Sequence, residues 1–82
     1  MADAERLMLK GRAQECLERM READARFRNA CGSMRQRVLL YENPGDVDMS
    51  LIQAAVADLA SARQEWIDAR ATMLAIREQL GE

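Results

Sequence analysis

The chain has no histidine, a single proline and three aromatic residues, and its two cysteines, Cys16 and Cys31, stand fifteen residues apart. Without histidine, a nucleophile-and-base pair and most metal sites lose their commonest member. There is no C-x-x-C pair, no cluster of carboxylates at helical spacing inside an apolar seam, and no glycine-rich phosphate loop. No catalytic residue, metal ligand or cofactor is expected, and Glu15, Glu18 and Glu22 read as solvated helix surface. No apolar run approaches the ~18 residues of a membrane span. The longest, Leu51 to Ala57, is broken by Gln53 and ended by Asp58. Met1 to Lys10 has no basic stretch leading into an apolar core, so no secretory leader is expected. The net charge is −2, which argues against nucleic-acid binding by bulk charge.

What the sequence does have is apolar content of 49% beside 32% charged residues in 82 positions. That is too apolar for disorder and too small for more than one domain. The one strong break is Glu42-Asn43-Pro44-Gly45-Asp46. Proline disfavours helix at the residue before it, and Pro-Gly is a turn dipeptide. These features predict a single helical-hairpin domain over 1–82, with a first helix at about 3–42, a turn at 43–47 and a second helix at about 48–80. Asp3 is the expected first N-cap. Asp48 and Ser50 (with Gln53 three residues on, a capping-box pattern) compete for the second. Gly81 is the expected stop.

Both segments carry heptads, written abcdefg. With Ala13 at a, the first helix has Ala13, Met20, Phe27, Met34 and Tyr41 at a, and Leu9, Cys16, Ala23, Ala30 and Arg37 at d. Only Arg37 breaks this seam. The second helix has Ile52, Leu59, Trp66, Met73 and Leu80 at a, and Ala55, Ala62, Ala69 and Ile76 at d, all apolar. Two such seams joined by a short loop predict an all-α fold: an antiparallel two-helix hairpin of coiled-coil type, completed by homo- or hetero-assembly into a bundle. Large residues at a and small ones at d predict interleaving, with Met20, Phe27, Met34, Leu59, Trp66 and Met73 as the hairpin core. As a core residue, Trp66 would lose ~3–5 kcal/mol on truncation to alanine. The register places Phe27 level with Trp66 and Met20 with Met73, and brings Arg26 to Glu65 and Asp24 to Arg70. On one helix the cysteines are roughly 22 Å apart, beyond the ~7 Å reach of a disulfide. Both read as small apolar residues suited to a reducing, cytoplasmic setting, with an intermolecular bond between copies left open.

Apolar residues are left over. Leu17, Cys31 and Val38 fall at e, Val56 falls at e of the second helix, and Ala60, Ile67 and Leu74 fall at b. An isolated hairpin hides one stripe per helix, so these residues predict a second stripe that faces a partner. Gly11 and Gly32 share position f with Ala25, where another helix could approach closely. Arg19, Arg21, Arg26, Arg28, Arg35 and Arg37 crowd the second half of the first helix. Through Glu42 the chain has nine basic and seven acidic residues, against three and seven in the remainder. That arginine surface reads as solvated, with phosphate contact as its functional alternative.

With the hairpin and the Asn43-Pro44-Gly45-Asp46 turn established, the chain resembles the small helical-hairpin proteins of bacterial type III secretion systems, the needle subunits and their co-chaperones. Leu51-Ile52, Leu59, Thr72 and Ile76 follow the apolar spacing of the needle's second helix, over about 40 residues. The second proline of a needle turn is missing, and the first helix is charged and regular from near Asp3, which leans the resemblance toward the co-chaperones. It implies a hairpin that holds an aggregation-prone subunit together with a helical-repeat chaperone. Three functions follow: a non-enzymatic protein–protein interaction module, adaptor or co-chaperone; a self-assembling subunit, either a four-helix dimer or a needle-like protomer; and a dimeric RNA-binding regulator in the manner of Rop.

Overall fold

The computed structural model describes residues 2–82. It is a helical hairpin: α1 spans Asp3–Leu39, a single 3-10 turn spans Pro44–Asp46, and α2 spans Met49–Leu80. The two helices pack along their length into a rod of 63 × 16 × 13 Å. Among the described residues there is no strand, and no helix is long and apolar enough to cross a membrane.

Composition explains the helices. In α1 the only β-branched residue is Val38, and α2 carries eight alanines. The ends depart from expectation in small, explicable ways. Ala2, not Asp3, holds the first cap position, in extended backbone without a side-chain hydrogen bond, and Asp3 begins the helix. There, with Glu5, it puts negative charge at the positive end of the helix dipole. α1 stops at Leu39 instead of 42, with Leu40 N–H donating its last bond to Gln36. Pro44 holds Asn43 extended (φ −112°, ψ 130°), so the chain must leave the helix early to reverse.

Between the two candidate caps of α2, Asp48 is the cap. Its Oδ1 accepts from the Ser50 amide at 3.0 Å and the Ser50 hydroxyl at 2.5 Å, so Ser50 lies inside the first turn and forms no capping box with Gln53. These bonds hold the Asp48 carboxyl below its ordinary value. Gly81 ends α2 in the left-handed region (φ 77°), where Gly81 N–H reaches the Glu78 carbonyl and Glu82 N–H that of Arg77. This is the Schellman pattern that glycine permits.

The core sits along position d. Cys16, Ala23, Ala55, Ala62, Ala69 and Ile76 are all buried, Ala23 and Ala62 to 1% exposure. The large a residues differ. Met73 and Leu80 are buried, whereas Met20, Phe27, Met34, Ile52, Leu59 and Trp66 are half-buried. Of the six side chains expected to form the hairpin core, only Met73 is therefore fully enclosed. Alanine at d is small enough to be covered by the facing helix, whereas most of the bulky a residues reach past the seam and stay partly exposed. Among the described residues, the one apolar cluster of size lies at the end remote from the turn, where Cys16, Met73, Ile76 and Leu80 join Leu9, Ala13, Leu17 and Met20. At the turn end Arg37 occupies d and points out to Ser33. Leu39, Leu40, Tyr41 and Met49 are exposed there.

Candidate functional site

The Arg26 guanidinium meets the Glu65 carboxylate at 2.9 Å, as the heptads predicted. Both are g positions, so g and c of the two helices share one broad face of the rod and e and b share the other. Surface grooves agree with this division. One is lined by Arg19, Glu22, Glu65 and Asp68, all g or c, while another on the opposite side is lined by Asp24, Arg63 and the aromatics Phe27 and Trp66.

Position a adjoins e on a helical wheel and d adjoins g. The alanine edge of the seam therefore lies toward the g/c face, and the half-exposed a edge lies toward the e/b face. Phe27 and Trp66 consequently show at the e/b surface, in the groove above Ala23 and Ala62. The seven residues expected to meet a partner lie on the same face. Leu17, Cys31 and Ile67 are half-buried, and Val38, Val56, Ala60 and Leu74 are exposed. The expected Asp24–Arg70 pair does not form. Asp24 turns along its own helix to Arg28, at 3.1 Å, and Arg70 lies over the Trp66 ring, 5.4 Å from its centre. A neighbour one turn away needs less side-chain ordering than one across the groove, and the indole face attracts a guanidinium.

Charge separates the faces as sharply as apolarity does. The e and b positions of the helices carry Lys10, Arg21, Arg28, Arg35, Arg63, Arg70 and Arg77 against two acids, Asp3 and Asp24. The g and c positions of the helices carry Glu5, Glu15, Glu22, Asp58, Glu65 and Asp68 against Arg12, Arg19 and Arg26. Reading charge by segment, first half against second, missed this sorting. Reading it by heptad position would have found it, since the arginines of each row recur every seven residues.

No protein-family model, curated protein or solved structure matches the chain. Nothing in those comparisons points to a type III secretion protein, and the face must be read from its own chemistry. Among the described residues no three His, Cys, Asp or Glu side chains converge as a metal site, and no buried polar side-chain atom lacks a partner. Both cysteines are free thiols, Cys16 in the core and Cys31 at the edge of the e/b face.

Proposed function

We propose that the chain is a non-enzymatic protein-interaction module that takes a partner on its e/b face. The observation that carries this reading is the half-open a edge, which presents Phe27 and Trp66 beside Leu17, Ile67 and Leu74 on one face only. Protein interfaces concentrate their energy in central aromatic and arginine side chains that lie in a groove and lose water on contact. A hairpin that leaves large residues half-wet along its seam has apolar area that a third helix can cover, in the manner of helix-in-groove recognition.

Site-specific photo-crosslinking in cells that make the chain tests this. A photoreactive residue at Leu74 (e/b face) is expected to give protein adducts, and the same residue at Thr72 (g/c face) none. Ile67→Asp should abolish the Leu74 adducts while helicity by circular dichroism is retained. Equal labelling from both positions, or none from Leu74, would overturn the reading.

A further inference from the structure

We infer that the partner segment is an acidic amphipathic α-helix, which lies lengthwise in the groove between α1 and α2 and makes the rod a three-helix bundle. This rests on the docking reading above and adds to it the chemistry of the occupant. Arg21, Arg28 and Arg35 form a row at b of α1, about 10 Å per step. Arg63, Arg70 and Arg77 form a row at e of α2, running the other way. Counting outward from the Arg26–Glu65 contact, Arg28 falls level with Arg63, and Arg21 with Arg70. The groove between the rows holds Leu17, Cys31 and Val38 with the half-buried Phe27 and Trp66, and one carboxylate, Asp24, which is paired with Arg28 of the flanking row. A helix seated there would set an apolar stripe on the groove floor and acidic residues on both of its flanks. The apolar row from Leu17 to Val38 is roughly 32 Å long, the length of about 21 helical residues.

The same arrangement argues against the other occupants. A second copy docked by the same face would set arginine rows against arginine rows with the rods antiparallel, and against apolar rows with the rods parallel, and in neither case would it bring a row of carboxylates. A second copy docked by its g/c face would offer carboxylates but no apolar stripe, since the large apolar residues there, Met8, Leu40 and Leu51, sit at the ends of the rod. A nucleic-acid backbone has phosphates for the arginines and nothing apolar to cover Leu17, Phe27 and Trp66 on the groove floor. In a membrane surface, arginines belong at the margin of the apolar face. Here an arginine row lies between apolar rows and would have to be buried with them.

Two synthetic helical peptides of about 21 residues, with one leucine stripe in common and flanks of glutamate in the first and lysine in the second, test the inference on the full chain. Binding is read by Trp66 fluorescence and calorimetry. The glutamate peptide is expected to bind at least about tenfold more tightly at low salt, and about 0.5 M sodium chloride should erase most of that advantage. The triple variant Arg63→Glu, Arg70→Glu, Arg77→Glu, with helicity retained, should reverse the preference. Equal binding of both peptides would refute the acidic occupant and leave the docking reading intact. Failure of both peptides would refute it too, and the crosslinking then judges the docking reading separately. Tighter binding to phosphatidylglycerol vesicles or to a short RNA duplex, or self-association lost in the triple variant, would each overturn it in favour of that occupant.

Discussion

The stability of this hairpin is concentrated at the end away from its turn, and a pair of truncations measures by how much. Ile76 is 3% exposed and sits with Cys16, Met73 and Leu80 in an apolar cluster of buried side chains. Removing three carbons from such a site typically costs ~2–5 kcal/mol, and close packing against three buried neighbours favours the middle of that range, ~3 kcal/mol. Met34 sits nearer the turn and is half-buried. Its truncation forfeits roughly half the transfer energy of a buried methionine and leaves little cavity, so ~1 kcal/mol is expected. An 82-residue chain has on the order of 4–12 kcal/mol in all. Ile76→Ala therefore removes a quarter or more of the total, and Met34→Ala leaves a well-folded hairpin. Urea unfolding followed by circular dichroism reads both, with an unchanged m-value as the check on two-state behaviour. A loss below about 1 kcal/mol for Ile76→Ala, or equal losses for the two variants, would refute a core weighted toward the chain termini.

Three further outcomes follow from the same packing. Trp66→Ala should cost ~2 kcal/mol by urea titration, below the ~3–5 of an enclosed tryptophan, because Trp66 keeps one side toward the e/b groove; a loss in the enclosed range would mean the a edge is closed. Gly11 and Gly32 lie within α1, and a Cβ at either meets nothing within 4 Å, so Gly11→Ala and Gly32→Ala should each raise stability by ~0.5–1 kcal/mol. Destabilisation of the isolated chain by either would contradict the open space around them. Asp48 has a folded pKa below the ordinary 3.8, so its contribution is fully present above that value and is lost as pH falls through the folded one. Asp48→Ala should lower Tm at neutral pH and flatten the pH dependence below 3.8; an unchanged Tm would remove Asp48 as the cap.

Much of the fold was legible because punctuation and periodicity agree. Pro44 and Gly45 leave one place for the chain to turn, and the heptads on either side choose the buried edges. The g–g contact of Arg26 with Glu65 follows from the same register. Less legible was the depth of burial. Heptad letters treat a and d alike, yet Ala62 at d is sealed while Trp66 at a is half-open. The difference comes from side-chain volume acting across two helices at once, which no single position records. The Asp24–Arg70 pair was misjudged for a related reason. Register brings two charges to one level, but Arg28 and the Trp66 ring compete for them locally.

The alanines at d also bear on why the e/b side is the one proposed to take a partner. Had leucine stood at Ala23, Ala30, Ala55, Ala62 and Ala69, both edges of the seam would be filled to a similar depth and neither face would be favoured. Small residues at d are covered beside the acidic g/c face, while the large a residues show toward e and b, where leftover Leu17, Ile67 and Leu74 already stand and where six arginines recur in two rows. Core packing, the surplus apolar stripe and the sorting of charge thus bias the same face. Each has a separate position-by-position origin, since a, e and b substitutions are independent in the sequence. Their coincidence on one side of a rod 16 × 13 Å in section is the physical reason to place a partner helix there instead of treating each feature as ordinary surface.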